Sequence, residues 1–173
     1  SVQKVHAVVL SGGSAFGLES TCGVSKYLEE KNIGFDVGVC KVPIVTGAVL
    51  FDLAVGDYKI RPDKEMGYKA CLNASETELK QGNYGAGCGA TVGKVKGIDY
   101  VTKGGIGSYS IKLDNGIVVS ALIAVNAFGD IYEDGKVIAG VLSDGKNELL
   151  NTYEMMKQGV MKGGFSIDNT TIG

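Results

Sequence analysis

The sequence predicts an α–β protein of stacked layers, with strands inside and helices outside. Three observations lead there. The order of segment types is strand, helix, strand, helix, antiparallel hairpins, helix. One hairpin strand is apolar on both faces, so both its sides call for cover. Strict strand–helix–strand alternation is absent, which argues against a plain Rossmann domain.

Val5 to Leu10 is a nearly continuous apolar run, suited to a buried strand. Ser11-Gly12-Gly13-Ser14 then turns the chain into a helix, whose Leu18, Cys22 and Ser25 share a face with Leu28 and which Gly34 would stop. Pro43 to Val55 reads as extended, with Gly47 as its weak point. Pro62-Asp63 opens a second helix running to about Leu79, with Asp63 as N-cap. Gln81 to Gly97 is dense in glycine, at 82, 85, 87, 89, 93 and 97. Tyr109, Ile111 and Leu113 alternate before Asn115-Gly116, a strong hairpin signal. Ile117 to Phe128 is the returning strand, expected to be central. Asp134-Gly135 turns a second hairpin from Asp130 to Ala139. Asn147 to Gln158 reads as helix and Gly159 to Asp168 as loop.

The 173 residues suit a single domain spanning 1–173. A net charge of −2 gives no electrostatic pull toward nucleic acid or anionic lipid, and neither partner is expected. Hydrophobic residues make up 45%, enough for a sizeable core. Glycine is the outlier: 27 residues is roughly double ordinary usage. With 2 prolines and no Gly-X-Y period, the excess serves turns, tight packing or backbone approach to a ligand. Cys22, Cys40, Cys71 and Cys88 form no CxxC pair, and His6 is the single histidine, so zinc lacks its usual ligands and no metal or other cofactor is expected. Reduced thiols in a cytoplasm are the simpler reading. The longest apolar stretch, Ile117 to Phe128, is too short to span a bilayer. The chain opens on Ser1 and stops in a strand-like Thr170-Thr171-Ile172-Gly173, so it is expected to be part of a larger gene product.

Ser11 to Gly17 follows a strand and opens a helix, so its backbone N–H groups could hold a phosphate or carboxylate; the alternative is close helix–strand packing. It is neither GxGxxG nor GxSxG, and no P-loop lysine follows. His6, inside the first apolar run, reads as a satisfied core or edge residue rather than a triad base. Asn126 is the most informative polar residue. Its neighbours are apolar, burying an amide costs about 1–3 kcal/mol unless it finds partners, and a fixed amide N–H is a standard oxyanion donor. A structural amide bonded to a nearby turn is the other reading. Lys94 and Lys96 would share a strand face, solvated by default. Asn73-Ala74-Ser75 and Asn169-Thr170-Thr171 match the glycosylation sequon, idle without secretion.

Several blocks resemble one family in the family's order: His6-Ala7-Val8-Val9-Leu10-Ser11-Gly12-Gly13-Ser14-Ala15-Phe16-Gly17-Leu18; Ala48-Val49-Leu50-Phe51-Asp52-Leu53; Arg61-Pro62-Asp63 with Glu65-Met66-Gly67; Gly82-Asn83-Tyr84-Gly85-Ala86-Gly87 on to Gly93-Lys94; Ala124-Val125-Asn126-Ala127-Phe128-Gly129-Asp130; and Asn169-Thr170-Thr171-Ile172-Gly173. The chain resembles the DmpA-like self-cleaving aminopeptidases, a family that includes β-peptidyl aminopeptidases and has the nylon-oligomer hydrolases as relatives. The resemblance implies an α+β, four-layer α-β-β-α sandwich with mixed, largely antiparallel sheets. It implies one self-cleavage at Asn169–Thr170, Thr170 becoming an N-terminal nucleophile with its own α-amine as base. Asn126 matches the family's active-site Asn and Lys94 a Lys near the nucleophile in the nylon-hydrolase branch. The implied function is hydrolysis of an N-terminal amide bond in a short peptide or peptide-like substrate. The implied partners are a further C-terminal β-subunit segment with acidic active-site residues, and other protomers in a homo-oligomer. Phe51 stands where some members carry a tyrosine. Two rivals stay open: an acyl transferase like the ornithine acetyltransferases, and a non-enzymatic phosphate or nucleotide module built on the Gly12–Gly17 loop.

Overall fold

The computed structural model describes residues 2–76, 79–160 and 170–173. The predicted loop at Gly159–Asp168 lies mostly outside them, as does Asn169. The chain is a mixed α/β structure of small sheets. Its elements in order are β1 Ala7–Ser11, α1 Glu19–Glu30, β2 Phe35–Asp36, β3 Lys41–Val42, β4 Val45–Val49, α2 Lys64–Leu72, β5 Thr91–Val92, β6 Thr102–Lys103, β7 Gly105–Lys112, β8 Val118–Val125, β9 Ile131–Glu133, β10 Lys136–Ala139 and α3 Thr152–Lys157. β1 and β4 pair in parallel, Ala7 opposite Val45 through Ser11 opposite Val49, with α1 in the crossover between them. The other strand pairs are antiparallel.

Helix–helix contact explains two glycines. A Cβ on Gly23 of α1 would overlap the Lys64 carbonyl oxygen, and one on Gly67 of α2 would overlap the Ser20 carbonyl oxygen. Backbone therefore meets backbone, and the buried face of α1 is Ser20, Gly23, Val24 and Leu28. The expected face is met only in part: Leu28 is buried and Ser25 half-buried, but Leu18 and Cys22 are exposed, with Ser20 and Gly23 making the close contact in their place. α1 ends at Glu30, with Asn32 at φ 56, ahead of the expected stop at Gly34. Asp63 caps α2 as expected, its Oδ1 accepting from the Met66 N–H at 2.8 Å. That helix stops at Leu72 rather than near Leu79. The last helix is also shorter than expected, beginning after the Asn151 cap, whose Oδ1 accepts from Glu154 N–H at 3.0 Å.

Both hairpins form. Gly116 (φ 85) turns β7 into β8, and Asp134 (φ 48) with Gly135 (φ 76) turns β9 into β10, left-handed conformations that suit Gly and Asp. Two burial expectations are corrected. Val8 is 64% exposed, so β1 has an open face. Residues 118–123 of β8 are exposed, with no second layer over them among the described residues. The core lies at one end of the hairpin, where Leu50, Ala86, Ala90, Ala124 and Ile172 pack together with Leu10, Ala48 and Ile106 against them.

Candidate active site

Asn126 follows directly on β8 and is fully buried. Its Oδ1 accepts from the Thr91 N–H at 3.0 Å, and its Nδ2 donates to the Phe51 carbonyl at 3.0 Å. Its backbone carbonyl accepts from Lys94 Nζ at 2.9 Å, and its backbone N–H donates to Thr171 Oγ1 at 3.3 Å. One residue thus ties the glycine-rich segment, the end of β4's loop and the C-terminal segment together. The amide still carries a second N–H beyond the one given to Phe51.

Lys94 is buried at 6% exposure. It sits in a short 3₁₀ turn over residues 94–96 rather than a strand, so the expected shared face with Lys96 does not exist. Gly93 opens that turn at φ 76, where a Cβ would also overlap the backbone of Gly140 and Val141. Lys96 points elsewhere, to Asp144 Oδ1 at 2.7 Å, the Leu142 carbonyl at 3.2 Å and the Tyr100 ring.

The C-terminal residues approach this pair by strand addition. Ile172 bridges Ala124 antiparallel, the Ala124 N–H donating to the Ile172 carbonyl at 2.8 Å and the Ile172 N–H to the Ala124 carbonyl at 3.2 Å. The Ile172 side chain is buried in the core, and Thr170 and Thr171 lead into it exposed. The structure therefore brings Asn126, Lys94 and the Thr170–Thr171 segment into one neighbourhood. Asn169 lies outside the described residues.

The Ser11–Gly17 loop is already occupied by an internal anion. Gly13 N–H donates to Asp52 Oδ1 at 2.7 Å, and Ser14 N–H to the Leu50 carbonyl at 2.9 Å. The Asp52 carboxylate lies so close to Gly12 and Gly89 that a Cβ on either would overlap it. The glycines here admit a protein carboxylate, which takes the anion seat that the phosphate-module reading needs. His6 is satisfied, its Nδ1 accepting from Ile44 N–H at 3.0 Å, in keeping with the edge-residue reading.

Asp52 is the residue that sequence reasoning missed. Its signal was indirect: two glycines far apart in sequence, neither in a regular turn, each needing something to pack against. Lys103 lies on the same glycine-rich loop from the other side, its Nζ donating to the Cys88 and Gly87 carbonyls. Burial holds Lys103 below the ordinary lysine value, against the opposing pull of Cys88 and Asp52.

Known proteins similar to this chain place it in a family. Residues 1–172 match the family model described as Peptidase family S58. An uncharacterized aminopeptidase of Mycobacterium leprae is 43% identical over 140 residues, covering 77% of this chain and 37% of that protein. A similarly named protein of Mycobacterium tuberculosis (strain H37Rv) is 42% identical over 135 residues, 77% of this chain and 36% of that protein. A 6-aminohexanoate-oligomer endohydrolase of Agromyces sp. (strain KY5R) is 38% identical over 90 residues, 52% of this chain and 25% of that protein. The chain thus spans little more than a third of the length of the curated aminopeptidase relatives it matches. The family match runs through the β1 loop, the glycine-rich segment, Asn126 and the docked C-terminal strand alike, and on that ground the chain belongs to Peptidase family S58.

Proposed function

We propose that this chain carries the nucleophile and part of the active site of a self-processing hydrolase that cleaves amide bonds at the N-terminus of short peptides or peptide-like amides. The observation that carries the reading is the docking of residues 170–173 beside Asn126, through Ile172 on Ala124 and Thr171 Oγ1 on the Asn126 N–H. A nucleophile anchored two residues from a core side chain has its position set by packing. Names among the relatives, an aminopeptidase and an oligomer endohydrolase, point to the same bond type.

In this reading the Asn169–Thr170 bond is cut once, and Thr170 becomes an N-terminus. Its α-amine, with an ordinary pKa near 8, takes the proton from Thr170 Oγ1 as the oxygen attacks the substrate carbonyl. The second Nδ2–H of Asn126 stabilises the oxyanion. The tetrahedral intermediate collapses to an ester on Thr170, and the amine leaves with the proton the α-ammonium returns. Water then attacks the ester and regenerates the hydroxyl. Lys94 acts as a positioning residue: its hydrogen bond to the Asn126 carbonyl fixes the backbone that aims the amide. The larger architecture we propose is the four-layer α-β-β-α sandwich, with α1 and α2 forming part of one outer layer.

The test is the complete gene product on a denaturing gel with intact-mass analysis. Two fragments are expected, one ending at Asn169 and one beginning at Thr170, and Thr170→Ala should give a single inactive chain. A wild-type protein that hydrolyses amides while remaining uncut overturns the reading.

A further inference from the structure

A cavity of about 450 Å³ lies beneath the β1 loop, between α1, α2 and the glycine-rich segment. Its walls are mainly apolar, with Val9, Leu10, Val24, Val55, Met66 and Ala86 contributing. This volume falls within the range of small-molecule sites. Asp52 and Val55 line it and also line a narrow crevice shared with Phe51, Thr91 and Lys94, so the cavity adjoins the Asn126 site.

Two charged side chains reach this cavity, and they differ in how far they are already used. Asp52 is committed: its Oδ1 holds the Gly13 N–H, and its carboxylate is walled by Gly12 and Gly89. Arg61 is half-buried and carries its guanidinium 4.0 Å over the Phe16 ring. Among the described residues it has no side-chain hydrogen bond and no carboxylate within ion-pair distance. A cation–π contact uses none of its five N–H donors. Arg61 lines the cavity at the side where it stacks on the exposed Phe16 ring, and its unused donors suit a planar anion held through two parallel N–H···O bonds.

We propose that this cavity binds the carboxylate-bearing end of a short apolar chain, with Arg61 taking the carboxylate. The inference rests on the amide-hydrolase reading and deepens it, since the substrates it names are amides that carry a free carboxylate on an apolar spacer. Asp52, in the same cavity, disfavours a second anion and confines the ligand carboxylate to the Arg61 end.

Calorimetry on the complete gene product tests this with three probes of equal chain length: hexanoate, hexanamide and hexylammonium. Hexanoate should bind at least about 10-fold tighter than either other probe, the usual worth of a charge-assisted pair over a neutral one. Arg61→Gln should abolish the preference with the melting temperature unchanged, and Arg61→Lys should keep part of it, because an ammonium retains the charge and loses the fork. Hexanoate should also inhibit amide hydrolysis competitively. Equal binding of hexanoate and hexanamide, tightest binding of hexylammonium, an Arg61→Gln protein with intact preference, or hydrolysis untouched by bound hexanoate would each overturn the proposal. The hexanoate preference should survive Thr170→Ala, which removes the nucleophile. Loss of turnover therefore judges the hydrolase reading, and loss of carboxylate preference judges the subsite.

Discussion

Replacing Asn126 with alanine tests whether this residue is the knot of the site. The side chain is fully buried and serves two backbone groups, accepting from Thr91 N–H and donating to the Phe51 carbonyl, each at 3.0 Å. Alanine supplies neither bond, and the vacated space is lined by those same two groups. An unsatisfied buried donor or acceptor costs about 1–3 kcal/mol, so the pair predicts a loss of about 2–6 kcal/mol. That is a large share of the ~5–15 kcal/mol that holds a domain folded. Asn126→Asp keeps the acceptor for Thr91 and turns an oxygen toward the Phe51 carbonyl, so it should lose stability too. The assay is urea unfolding of the complete gene product in the Thr170→Ala background, where the chain stays whole. A loss below about 1 kcal/mol for Asn126→Ala would refute the reasoning, since it would mean that water or neighbouring groups serve Thr91 and Phe51 without the amide.

Three further outcomes are expected. Gly67→Ala should lower the melting temperature: a Cβ there overlaps the Ser20 carbonyl, and an overpacking cost of about 1–3 kcal/mol outweighs the ~1 kcal/mol that alanine gains in a helix. Asp63→Ala should cost about 0.5–2 kcal/mol by leaving the Met66 N–H uncapped, read from the shift in denaturation midpoint, with Asp63→Ser restoring most of it. Lys103, held by burial below the ordinary lysine value, makes the unfolded chain bind more protons than the folded one between the folded and unfolded pKa. Stability should therefore rise with pH through that window for wild type relative to Lys103→Met, and a difference that stays unchanged as the pH climbs to the ordinary lysine value counts against it.

The parts legible in the sequence are those with local causes. Asn115-Gly116 and Asp134-Gly135 name their turns because few residues accept left-handed backbone, and both hairpins form there. Asp63 announces its helix for the same kind of reason, a short acceptor facing orphan N–H groups. Asn126 was legible as a polar residue in apolar company, although only the structure gives it Thr91, Phe51, Lys94 and Thr171 as partners. Long-range causes left weaker marks. The α1–α2 contact runs through Gly23 and Gly67, so a search for large apolar residues finds only part of the buried face of α1. The glycine-dense stretch has no period to read, because its glycines answer to separate neighbours: Gly87 to Gly82 and Ile106, Gly89 to Asp52, Gly93 to Gly140 and Val141. The apolar content of residues 118–123 signals that a strand is made to be covered, without naming what covers it.

The Asp52 seat makes a prediction of a different kind, because its test is a failure of additivity. The three atoms nearest a Cβ on Gly12 all belong to the Asp52 carboxyl group, the second and third at 3.0 and 3.2 Å. Gly12→Ala should therefore push the carboxylate off the Gly13 N–H and cost about 1–3 kcal/mol. Asp52→Ala alone should cost about 1–3 kcal/mol by stranding that N–H. In the double variant the added methyl meets none of those atoms, and the carboxylate it would displace is already gone. The double variant should thus be about as stable as Asp52→Ala alone, with a coupling energy of at least about 1 kcal/mol in the cycle. Strict additivity would show that Gly12 is small for its own backbone's sake. The carboxylate would then be an incidental neighbour, and the loop would again be a candidate for an anion from outside.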